Sequence, residues 1–141
     1  MNETEICLIR DTTERLLEAD IAAANAFYTK LFEQAASVRP LFPEDMYAQS
    51  RKLIDSLFFV IEHAENLDAV SGPIRELGAR HAGYGAVAEH YPVVQEVLIS
   101  TLRDMMSDDW TMDHAAAWHK VLDFVVARML EGAASDGNRT L

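Results

Sequence analysis

The chain has 141 residues, half of them apolar and a quarter charged; this suits one soluble globular domain with a single core and excludes a disordered or fibrous chain. Twenty-three acids against 12 lysines and arginines leave a net charge of −11, which repels nucleic acid and anionic lipid. The one cysteine, Cys7, rules out an internal disulfide, a multi-cysteine zinc site and a covalent C-x-x-C-H cofactor attachment.

Apolar residues follow a helical period almost throughout, so the expected fold class is all-α. Two helices open the chain, one over Glu3–Leu17 and one over Ile21–Phe32, and a short turn follows over Ala36–Leu41. Pro43-Glu44-Asp45 then marks a helix entry. Leu53, Leu57, Val60, Ile61 and Ala64 fall at offsets of 4, 7, 8 and 11, one stripe of that helix. Phe58-Phe59-Val60-Ile61 has strand composition but lies inside the stripe and has no hairpin partner, so no sheet is expected. Gly72-Pro73 opens a short helix to Arg80, after which Gly83 and Gly85 release the backbone. Tyr91-Pro92 starts the next, with Val94, Val97, Leu98, Leu102 and Met105 on one face. Thr111 with Asp113 starts the last, carrying Trp118, Val121, Leu122, Val125 and Met129. The domain is expected over 1–133, with a flexible tail over 134–141. No stretch approaches the roughly 18 apolar residues of a membrane helix, and MNETEICLIRD lacks the features of a signal peptide, so a cytoplasmic protein is expected.

Five histidines stand at 63, 81, 90, 114 and 119. The patterning puts His63 and His119 on solvent faces and His90 at a helix entry, where it can cap. His81 closes the short helix, in LGARHAGYGAVAEHYPVV. Held on a packed helix, its ring can serve as an acid, a base or a metal ligand, or be a satisfied core residue; the residues alone leave these open.

Upstream stand FYTKLF, VRPLF and QSRKL, and downstream RHAGYG and HYP. In this order and spacing, from about Ile6 to Leu130, they resemble the bacterial single-domain haemoglobins and the globin domains of flavohaemoglobins. The resemblance implies a globin fold, helices packed around a haem pocket, with haem b as cofactor. It makes His81 the proximal iron ligand, whose second ring nitrogen donates to an acceptor behind it. Phe42 matches the phenylalanine that stacks on the porphyrin, although a plain core role fits that residue equally. Leu53, Leu57 and Val87 match residues that line the haem. Tyr28, Gln49 and Leu53 match the ligand-binding side, where two donors and an apolar roof favour oxygen, which draws electron density from ferrous iron, over carbon monoxide. Arg51 and Arg80 match positions that can meet the propionates, although arginines so placed are more often just solvated helix charges. Tyr91 matches a tyrosine beside the proximal histidine. The family's proximal glutamate falls on Ala133, while the nearest acid, Glu131, lies two residues earlier and about 200° around a helix. The strong electron push of that glutamate is therefore in doubt.

The resemblance implies a haem protein binding oxygen and other diatomic gases, including nitric oxide, at a five-coordinate or weakly six-coordinate iron. The alternative is a nitric oxide dioxygenase served by a separate reductase, since the chain carries no G-x-G-x-x-G dinucleotide fingerprint. No other catalytic residue is assigned, and a monomer or weak homodimer is expected, without nucleic acid or membrane partners.

Overall fold

The computed structural model describes residues 1–139. The helices are α1 (Glu3–Arg10), α2 (Thr13–Ala19), α3 (Ile21–Gln34), α4 (Tyr47–Glu62), α5 (Ser71–Gly83), α6 (His90–Met106) and α7 (Met112–Arg139). Short 3-10 segments lie at Ala36–Leu41, Ala64–Val70 and Ser107–Asp109, and no strand occurs among the described residues. The all-α expectation holds.

The opening helix expected over Glu3–Leu17 is instead two helices. At the break Thr12 is fully buried, and its hydroxyl donates to the Ile9 carbonyl at 2.7 Å. A threonine that bonds its own backbone in this way offers the chain an alternative to continuing the helix. The helix expected over Pro73–Arg80 is longer at both ends, and of the two glycines behind it only Gly85 takes a left-handed backbone, with φ of 100°. Where a tail was expected from Ala134, α7 continues to Arg139; residues 140 and 141 of that tail lie outside the described residues.

The three stripes supply the core as their periodicity requires. Leu57, Val60, Ile61, Val97, Leu98, Leu102, Trp118, Val121, Leu122 and Met129 are buried. Helix α3 packs on α4 and α6, α1 packs on α7, and α6 also meets α7. Helix α5 stands apart from this core. Among the described residues its extensive contacts are with α7 and, less, with Ala64–Val70, while α4 and α5 have no extensive contact with each other. A second, smaller cluster of Ile74, Tyr91 and Met129 fills the space behind α5.

Candidate functional site

His81 lies near the C-terminal end of α5, and both its backbone and its ring are fixed locally. The Ala86 N–H donates to the His81 carbonyl at 3.0 Å and the Gly85 N–H to the Ala82 carbonyl at 3.1 Å. This is the Schellman arrangement, in which the left-handed residue is Gly85 and the helix-ending carbonyls gain donors. The ring Nδ1–H donates to the Leu77 carbonyl one turn back, at 2.8 Å. That bond assigns the proton to Nδ1 and leaves the lone pair on Nε2, the state in which an imidazole binds a metal. The side chain is half-buried.

Tyr28 on α3 is 7% exposed, with its ring among Phe27, Phe32 and Phe42 at centroid distances of 4.9, 5.9 and 5.5 Å. The Gln49 amide of α4 donates to the Tyr28 oxygen at 3.2 Å. The phenol thus accepts one hydrogen bond and keeps its own proton to give. Burial pushes its pKa up, more than the Gln49 contact draws it down, so it is a neutral O–H donor at physiological pH. Phe42 sits where the 3-10 turn leaves for α4, and Arg39 ties that exit by donating to the carbonyls of Phe42 and Pro43 at 3.2 and 3.0 Å.

Phe42 and Leu53 are half-buried, Leu57 is buried, and Val87 is 48% exposed. Leu41 is exposed, and its side chain reaches within contact of Gly85, so the turn before α4 meets the loop after α5. Large apolar side chains left partly open, together with an imidazole whose second nitrogen is free, are the chemistry that a mostly apolar ligand carrying a metal needs.

A family model described as Globin matches residues 25–129, which span Tyr28, Phe42, Gln49 and His81. The chain belongs to the globin family. Membership implies a haem cofactor, and the residues just described fit one through their donor set: one neutral imidazole nitrogen with its lone pair free, apolar faces, and a phenol proton free to donate.

This globin is 24% identical over 121 residues to a flavohemoprotein of Halalkalibacterium halodurans, covering 84% of this chain and 29% of the relative. It is 25% identical over 121 residues to the flavohemoprotein of Vibrio cholerae, again covering 84% of this chain and 31% of the relative. The globin therefore spans less than a third of these relatives. A bacterial globin from Campylobacter jejuni shares the fold, with a TM-score of 0.82 at 18% identity over 95% of this chain and 97% of the other. An engineered carbene transferase, built on a Rhodothermus marinus protein provisionally assigned as a nitric oxide dioxygenase, gives 0.84 at 27% identity over 96% and 94%. Together these make the chain a bacterial globin similar to flavohaemoglobin globin domains.

The remaining candidates are more dispersed. The Arg51 guanidinium of the globin is held by Asp20 at 2.8 Å and Asp55 at 3.6 Å, contacts that raise its pKa further, the Asp20 hydrogen bond most. Arg80 is exposed. Tyr91 is buried in the cluster behind α5, to which Leu77 also contributes, and desolvation raises its pKa. Glu131 bonds Arg75 of α5 at 2.8 Å and Arg128 at 2.6 Å, and these guanidiniums, Arg75 first, hold it below the usual carboxylate range. The acceptor at the His81 ring is the neutral Leu77 carbonyl. His63 donates from Nδ1 to the Phe59 carbonyl at 2.8 Å and packs tilted against the Phe59 ring, while His90 caps the Val87 N–H at 3.2 Å. No helix among the described residues is long and apolar enough to cross a membrane.

Sequence reading passed over Gly78 and Gly132. A Cβ on Gly78 would stand 2.0 Å from the Met129 carbonyl oxygen, and one on Gly132 would stand 1.8 Å from that of Arg75, so α5 and α7 meet backbone to backbone. The available signal was a glycine inside a helical pattern with no turn nearby, which marks close approach.

Proposed function

We propose that this globin holds haem b between α4 and α5 with His81 as axial ligand, and that it binds oxygen and other diatomic gases, nitric oxide among them, reversibly. Haem, when bound, would supply an iron able to take a diatomic gas. His81 contributes Nε2 while Leu77 keeps its ring oriented through Nδ1. A carbonyl acceptor leaves the imidazole neutral, a weaker electron donor than one bonded to a carboxylate. Phe42, Leu53, Leu57 and Val87 contribute apolar surface. Tyr28, steadied by Gln49, donates its proton toward a ligand atom that carries partial negative charge. Such a charge-assisted bond contributes about 1.5–3 kcal/mol, or about 10- to 100-fold in affinity. The propionates fall to Arg80 and to Arg51, with Arg51 shared between them and its aspartates. Tyr91 would back the proximal side from the cluster it forms with Ile74 and Met129.

The observation that carries this reading is the His81 ring, whose Nδ1–H is committed to the Leu77 carbonyl and whose Nε2 lone pair is left free. Reconstituting the protein with haemin and recording the Soret band and the ferrous spectrum tests it. His81→Ala is expected to lose stable haem loading; retained affinity with an unchanged ferrous spectrum would exclude His81 as the ligand.

A second reading, a nitric oxide dioxygenase using a separate reductase, draws support from the Rhodothermus marinus relative, itself provisionally given that activity. Sustained nitric oxide consumption with a reductase and nicotinamide supplied separates the two. A single turnover does not, because a gas carrier also reacts once.

A further inference from the structure

We infer that Gly78 and Gly132 are positioning residues for His81, acting by letting α5 seat directly on the backbone of α7. The inference rests on the reading of His81 as the axial ligand. Helix α5 has few other neighbours, since α7 supplies most of its contacts and α4 supplies none of any extent among the described residues. What sets the distance between α5 and α7 therefore sets where His81 stands. Two features set it, and they are reciprocal. Gly78 of α5 lies against the Met129 carbonyl of α7, and Gly132 of α7 lies against the Arg75 carbonyl of α5.

Any side chain at either point forces the helices apart. Real Cβ contacts do not fall below 3.0 Å, and an alanine at Gly132 would begin at 1.8 Å from a backbone atom that cannot swing aside. The relief needed is roughly 1 Å of helix displacement, the scale at which a misplaced functional group loses about 100-fold. The shift reaches the ring by a short path. Gly78 adjoins Leu77, whose carbonyl holds His81 Nδ1, and it lies one turn before His81 itself. The Arg75–Glu131 pair spans the same seam at 2.8 Å, and it occupies the carboxylate closest in sequence to the position where the family places its proximal glutamate. The seam thus fixes where α5 stands, and with it the ring that the Leu77 carbonyl of the same helix holds.

The test compares wild type, Gly78→Ala and Gly132→Ala, each reconstituted with haemin, in each case with helical content followed by circular dichroism. Haem loss to a scavenging apoprotein is expected to quicken by about 10- to 100-fold in the variants, with a shifted iron–histidine stretching frequency in the ferrous state. His81→Gly supplied with free imidazole separates positioning from general damage: there Gly132→Ala is expected to leave the iron–imidazole frequency unmoved, because the ligand is no longer tied to α5. Unchanged haem loss and frequency in the alanine variants would overturn the inference, as would an equal frequency shift with and without the tether. Should both alanine variants lose their helical content, the comparison of wild type with His81→Gly plus imidazole still decides. A seam that constrains the histidine predicts different stretching frequencies for tethered and free ligand, and identical ones overturn it. A wild-type protein that takes up no haemin would instead bring down the functional reading, and this inference with it.

Discussion

In the proposed gas-binding pocket, selectivity would rest on one side chain, Tyr28. Its oxygen is occupied as an acceptor by Gln49 at 3.2 Å, its ring is clamped by three phenylalanines, and burial keeps the phenol protonated. The proton is then the only hydrogen-bonding capacity of the group left to offer a ligand. Tyr28→Phe removes it while keeping the ring, so oxygen dissociation should quicken by about 10- to 100-fold. Carbon monoxide, with little charge on its far atom, should change much less, and stopped-flow displacement of each gas measures both. Equal changes for the two gases would contradict the donor role. The family resemblance made Tyr28, Gln49 and His81 legible as candidates. The direction of the Tyr28–Gln49 hydrogen bond was not, because it depends on folding bringing α3 and α4 together.

The helix boundaries were legible wherever a local side chain makes them. Thr111 accepts from the His114 N–H at 3.3 Å, and His114 Nδ1 accepts from the Thr111 N–H at 3.1 Å, a reciprocal cap with histidine in the place usually taken by glutamate. Since Nδ1 is an acceptor, Nε2 bears the proton and donates to Asp11 at 3.1 Å, tying the start of α7 to the α1–α2 corner. Losing the threonine oxygen should destabilise the fold by about 1 kcal/mol, and Thr111→Ala measured by urea titration checks this. A loss well under half of that would mean that His114 alone holds the helix end. The break at Thr12 was not legible, because a threonine in a helical stripe turns against its own helix only once it is buried. Nor was the α5–α7 approach at Gly78 and Gly132, where each glycine is demanded by a carbonyl more than 50 residues away.

For the whole molecule, α5 is a helix with one principal support. The core built by α3, α4, α6 and α7 does not depend on it, whereas the His81 position does. A ligand that bridges α4 and α5 adds contacts absent from the protein alone. Haem should then stabilise the fold by mass action, by about 2.7 kcal/mol at a free concentration 100 times its Kd. Thermal melts of the apo and haemin-loaded protein measure this, and coincident melts would deny that haem binds the folded state preferentially. The sequence by itself determined the helical class, the three core stripes and the proline and threonine boundaries, since each follows from periodicity or from a side chain acting within one turn, while His81 was legible as the axial candidate only through the family resemblance. Only the tertiary structure decided that Glu131 is engaged by Arg75 across the α5–α7 seam and that two glycines seat α5 on α7. Those are contacts between segments distant in the chain, and their geometry exists only once packing has brought the backbones together.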